Sequence, residues 1–189
     1  MTIAQTTPID TTVSTAAWQR VFAAAIGAAL VAVGAQLAVP VPGTVVPLTF
    51  QVPAVLIVGA LLGPRYGAAS MVLYLMLGAT GLPVFAPGGV PGVARLFGPT
   101  GGYLLAYPVA AALVGRLALT SGGVRRLGAL VLGLVVIHLG GVAQLAVLGG
   151  DLSMAVRAGS LPFLAGDVAK LLLALLVIGR LARQTRALR

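Results

Sequence analysis

The sequence predicts an all-α membrane protein, a single bundle of six transmembrane helices with both termini on the cytoplasmic side. Three observations carry this. The chain is 59% hydrophobic and only 8% charged, with a mean hydropathy of +1.09. A soluble domain is about a quarter charged, so this chain lacks the polar side chains to cover a surface facing water, and lipid is left as its solvent. Apolar runs recur along most of its 189 residues, separated by Gly/Pro-rich or arginine-bearing breaks. Finally, the arginines fall unevenly on the breaks, as the positive-inside rule requires of cytoplasmic loops.

The runs follow in order. Residues 1–16 are polar and Thr-rich, without the basic start and apolar middle of a secretory signal, and are expected to form a disordered cytoplasmic tail. Trp18 marks the membrane interface, and the first run covers 21–39. Pro40, Pro42, Pro47 and Pro53 then argue against a regular helix. The second and third runs, 54–62 and 66–77, flank Gly63-Pro64-Arg65. Both are short for spans, so they recruit neighbouring residues or form an interrupted pair. A Gly/Pro-rich segment over 78–99 holds Phe85, Arg95 and Phe97. The fourth run, 103–119, is closed by Ser121 to Arg126; the fifth is 127–148. A polar loop with Asp151 and Arg157 leads to the sixth, 161–181. The expected organisation is a transmembrane substrate-binding domain over 17–183 and a basic cytoplasmic tail over 184–189.

With six spans, one side collects Arg20, Arg65, Arg116, Arg125, Arg126, Arg180, Arg183, Arg186 and Arg189, and the other only Arg95 and Arg157. An odd number of spans would split the arginine-rich ends across the bilayer. The same scatter argues against nucleic acid as partner, despite a formal charge of +9. Cysteine is absent, and one histidine with three acids is too few for an ordinary metal centre. The sole lysine follows Ala169, so there is no P-loop, and no arrangement of acids and bases suggests an enzyme. No cofactor is expected.

Orientation makes the remaining polar residues informative. Asp167 and Lys170 stand three apart in the sixth run, on one helix face and in its outer half. Thr49 and Gln51 open the second helix on the same side, Arg95 lies in the outer loop, and Gln144 is near the outer end of the fifth run. Polar groups are costly in lipid, and an outward-facing pocket explains their convergence. A structural ion pair would also fit Asp167 and Lys170, but ionisable groups inside membranes are functional by default. Arg95 is either a solvated loop residue or a second cation. In the latter case two cations and one acid leave about one positive charge for a carboxylate ligand. Tyr74, Tyr103, Tyr107 and Phe85 are candidate apolar walls. His138, with no acid near it in sequence, is read as a packed helix contact, and Gln36 and Gln144 as interhelical hydrogen-bonding groups. On the first helix, Ala24 with Ala28 and Ala25 with Ala29 carry the small-residue spacing that lets another helix dock.

Five segments together carry a family resemblance: 47–52 (Pro-Leu-Thr-Phe-Gln-Val), 61–67 (Leu-Leu-Gly-Pro-Arg-Tyr-Gly), 74–85, 97–104 (Phe-Gly-Pro-Thr-Gly-Gly-Tyr-Leu) and 161–170, which ends Gly-Asp-Val-Ala-Lys. In this order they resemble the BioY family, the biotin-specific S component of energy-coupling factor (ECF) transporters. The resemblance covers about residues 20–182. It implies six helices in a bacterial plasma membrane and a high-affinity biotin site near the outer face. It also implies docking through helix one onto a transmembrane coupling protein that carries two ATPase subunits. By motif it assigns Asp167, Lys170 and Arg95 to the polar end of the site and Gln51 to its lining. The chain has no asparagine, which leaves Gln51, Gln144 or backbone amides for the ureido ring, and Phe50 stands where a smaller residue is expected. Pocket chemistry alone does not separate biotin from another small carboxylate. An S component for another vitamin and a stand-alone secondary transporter remain the alternatives.

Overall fold

The computed structural model describes residues 15–118 and 122–187. Nearly all of the expected N-terminal tail therefore lies outside the described residues, as do Ser121 and the last two residues of the expected C-terminal tail. The elements are α1 (Thr15–Gln36), a short antiparallel pair β1 (Ala38–Val39) and β2 (Leu48–Thr49), α2 (Gln51–Ala79), α3 (Ala94–Phe97), α4 (Gly101–Ala118), α5 (Gly123–Gly149), α6 (Leu152–Gly159), a 3₁₀ turn (Leu161–Phe163) and α7 (Leu164–Ala187). Five of the helical stretches are long and apolar enough to cross a membrane.

Proline chemistry shapes the first connection. The region 40–47 cannot extend the strand ladder, because Pro40, Pro42 and Pro47 have no N–H to give, so only Ala38↔Thr49 and Val39↔Leu48 pair. This small ribbon was not expected from an all-helical reading. Pro53 sits in the first turn of α2, where a missing N–H costs nothing.

α2 holds the main structural event. Gly63 has φ 78° and ψ −179°, a combination essentially reserved for glycine, and it breaks the helix into arms of 51–62 and 64–79. The Gln51 side chain donates to Tyr74 Oη at 2.5 Å across 23 positions. An unbroken helix would separate those residues by about 35 Å. The arms therefore fold back on each other. They meet closely: a Cβ on Gly67 would come 2.9 Å from Gly59 Cα, and one on Gly59 would come 2.6 Å from Ala111 O of α4. The two short apolar runs flanking Gly63-Pro64 are this hairpin, an interrupted pair.

α1 lies on the hairpin through its small residues. Ala24 and Ala28 are buried, and Gly27 faces Ser70 and Val58. The core runs through Val55, Leu56, Met71, Tyr74, Leu130 and Ile137. Outward faces of α1, α5 and α7 present Phe22, Ile26, Val33, Leu139, Leu172 and Leu176, while Thr49, Gln51, Arg95, Asp167 and Lys170 are buried. Apolar outside and polar inside is the arrangement lipid demands. The expected polar loop around Asp151 and Arg157 is instead the helix α6, whose first turn is capped by Asp151 accepting from Ser153 N and Met154 N.

The ends of the bundle differ. Arg20 lies 5.8 Å from the Tyr66 ring, Gly115 abuts Gly63 and Pro64, and the Arg126 side chain reaches Gly179. The start of α1, the hairpin tip, the end of α4, the start of α5 and the far part of α7 thus share one arginine-rich end. At the other end Gln36 donates to Pro83 O and Phe85 O, and Gln144 to Leu96 O and Gly98 O, tying the long connections to the helices.

Candidate functional site

A cavity opens at the end opposite the arginines. Its floor and walls come from β2, the start of α2, the connection after it, α3, α4, α5, the 3₁₀ turn and α7. β2 and the start of α2 supply Thr49 and Gln51, the 80–93 connection supplies Phe85, and α3 supplies Arg95. α4 contributes Tyr103 and Tyr107, four residues apart and hence on one face. α5 contributes Ile137 and His138, the 3₁₀ turn Phe163, and α7 Asp167 and Lys170.

The charged end is built around Asp167. Lys170 Nζ donates to its Oδ1 at 3.0 Å, and His138 Nε2 lies 2.8 Å from its Oδ2. With both carboxylate oxygens engaged, Asp167 is satisfied and holds two cavity-lining groups in fixed positions. Arg95 is buried, with Nη2 donating to Ala86 O at 2.9 Å. Arg95 Nε and His138 Nδ1 are buried without a partner among the described residues. Unsatisfied buried polar atoms are rare and costly, and both belong to residues that line the cavity. The cations Lys170 and Arg95 and the single acid Asp167 together leave about one positive charge in a low-dielectric setting, where an anion is held strongly.

The other walls are apolar and stiff. Tyr74 packs edge-on to Phe85 at 5.4 Å and stacks with Tyr107 at 6.5 Å. Tyr103 and Phe163 flank the His138 ring at 6.3 and 6.5 Å. The Tyr103 hydroxyl donates to Gly159 O, which anchors α4 to the end of α6. A chain of hydrogen bonds runs from Thr49 Oγ1 to Gln51 Oε1, from Gln51 Nε2 to Tyr74, and from Tyr74 to Val84 O. It fixes Gln51 yet leaves its amide one hydrogen and one lone pair for something else.

Seven of the eight expected binding residues, Asp167, Lys170, Arg95, Gln51, Thr49, Phe85 and Tyr103, line this one cavity. Tyr74 does not; it is fully buried behind the wall and acts on Gln51 and Phe85. Arg95 is buried, which removes the solvated-loop alternative. Gln144 is spent on the α3 backbone, and Phe50 is exposed on the outside, away from the cavity. Of the docking alanines, Ala24 and Ala28 are used inside the bundle, while Ala25 and Ala29 face outward. Reading His138 as a plain helix contact overlooked its role at Asp167, because that acid is 29 residues away on another helix. The signal that singled out Asp167, an ionisable group within an apolar span, applied equally to His138.

Fold and cavity define the class: a multi-pass helical membrane protein with a buried, net-positive small-molecule cavity at one end. The chain belongs to the BioY family, whose model matches residues 6–187. It is 43% identical over 161 residues to the probable biotin transporter BioY of Pyrococcus horikoshii, covering 85% of this chain and 94% of that one. It is 37% identical over 169 residues to the biotin transporter BioY of Thermotoga maritima, again covering 85% and 94%. Among solved structures it resembles the S component for biotin from an ECF-type ABC transporter, with a TM-score of 0.80 at 26% identity, over 89% of this chain and 93% of the other. The family and the fold are those of a transporter component.

Proposed function

We propose that this chain is the biotin-capturing subunit of an ECF-type transporter, binding its substrate rather than transforming it. The observation that carries the reading is the composition of the cavity: Lys170 and Arg95 against one acid at the charged end, aromatic walls, and spare amide capacity on Gln51. Biotin has a carboxylate, an apolar valeryl chain and a hydrogen-bonding ureido ring, and such a cavity has a counterpart for each. The BioY relatives narrow the carboxylate to biotin. The α2 hairpin counts as two crossings, which gives six in all, with the arginine-rich end in the cytoplasm and the cavity opening outward. No P-loop is present in the sequence, so uptake draws its energy from a coupling protein and its two ATPase subunits.

Calorimetric titration of the detergent-purified chain with biotin, and separately with biotin amide, tests this. Tight biotin and weak amide binding is the expected result. Equal binding of both moves recognition to the ureido end, and no binding by the folded protein sinks the biotin assignment. Trp18 is exposed and far from the cavity, so its fluorescence is a poor reporter.

A further inference from the structure

Arg95 stands where two cavities meet. It lines the enclosed site and also a wider recess above it, framed by Pro40, Thr44, Pro87, Gly89 and Pro99. Among the described residues the protein grips its side chain lightly: one hydrogen bond to Ala86 O, Nε buried without a partner, and a supporting helix of four residues. What confines the guanidinium on its other side is Gly89. A Cβ placed on Gly89 would lie 1.1 Å from Arg95 Nη1 and 2.2 Å from Cζ. The first separation is shorter than a C–N bond, about 1.46 Å, so a side chain at 89 and the guanidinium exclude each other.

The geometry points to Gly89 as a positioning residue for Arg95, and through it as a determinant of selectivity for a carboxylate. The missing side chain is the space in which the guanidinium lies. The inference rests on Arg95 meeting the carboxylate of the ligand. Ordinary packing glycines differ from it in two ways. At Gly59 or Gly102 an added Cβ meets backbone, which cannot yield, whereas at Gly89 it meets the free end of a flexible side chain. Gly88 and Gly92 have positive φ, and Gly89 does not, so its backbone accepts alanine without strain. Gly89→Ala therefore keeps the fold and is relieved by swinging Arg95 away from Ala86 and out of the geometry a carboxylate needs.

The test is titration of Gly89→Ala, Arg95→Ala and the double variant with biotin and with biotin amide. Leu82→Ala, at an exposed position of the same connection and outside both cavities, is the control. Losing one charge-assisted contact should weaken biotin about 10- to 100-fold in Gly89→Ala. Amide affinity should not change, and the double variant should match Arg95→Ala. The inference is overturned if Gly89→Ala binds biotin like wild type while Arg95→Ala does not. It is also overturned if Gly89→Ala weakens acid and amide alike, or if its effect persists without Arg95. A wild type that binds acid and amide equally, or an Arg95→Ala variant that binds biotin normally, removes the carboxylate role of Arg95 itself, and the inference falls with it.

Discussion

Asp167 divides its carboxylate between Lys170 on its own helix and His138 on α5, and the two partners are not equivalent. Removing Lys170 leaves Asp167 with its hydrogen bond to His138. Removing Asp167 leaves a buried ammonium with no counter-charge, the costlier omission. Lys170→Ala is therefore expected to weaken biotin binding by about 1.5–3 kcal/mol, with a smaller loss of stability. Asp167→Ala should weaken binding too, and should lower the thermal midpoint in detergent well below that of Lys170→Ala. Calorimetry and thermal unfolding check the two halves, and variants that bind like wild type would remove the pair from the site. The lysine and its acid were legible because three positions separate them on one helix. His138 was not, since nothing local relates positions 138 and 167. Tyr74 stands behind the wall and not in it, and an aromatic beside a cavity and an aromatic behind its wall have the same sequence signature.

At the scale of the element, the α2 hairpin depends on two kinds of glycine. Gly63 supplies a backbone conformation that other residues avoid, and Gly63→Ala is expected to cost about 1–3 kcal/mol. Gly59 supplies a close approach. Gly59→Leu would drive its side chain into the Ala111 backbone of α4 and separate three helical segments, with overpacking costs of about 1–3 kcal/mol or more. Gly122→Ala, where an added Cβ meets nothing within 4 Å, should leave thermal unfolding unchanged, which separates packing from a generic glycine effect. The break at Gly63-Pro64 was plain in the sequence. That the arms fold back came from the six-span count, which puts Arg65 in a loop between two crossings, and not from the glycine–proline step itself, which permits a kink as readily as a reversal. α1 shows the same limit. Its two alanine pairs are identical in spacing, yet the bundle consumes Ala24 and Ala28 and leaves Ala25 and Ala29 outside. If the outer pair docks the coupling protein, Ala25→Trp with Ala29→Trp should spare biotin binding by the purified chain and sharply reduce uptake by cells. Loss of binding would show instead that α1 no longer packs.

Across the whole molecule, charge and cavity sit at opposite ends. Arg20, Arg65, Arg116, Arg125, Arg126 and Arg180 belong to the end that holds the hairpin tip, while the cavity opens among the connections at the other. Orientation decides what this separation means. With the arginines in the cytoplasm, the cavity meets the outside, where a capture protein must find its substrate, and the exposed face of α1 runs toward the compartment that holds ATP. Reversed, the same fold would bind biotin already inside the cell. The absence of cysteine makes this directly measurable with single introduced thiols. Val90, 55% exposed beside the cavity mouth, and Val124, 87% exposed at the arginine-rich end, are suitable positions. A membrane-impermeant maleimide added to intact spheroplasts should label Val90→Cys fully and Val124→Cys only after permeabilisation, and excess biotin should slow labelling at Val90→Cys alone. The opposite labelling pattern would place the cavity in the cytoplasm and end the reading of this chain as an uptake component, even if biotin binds it tightly.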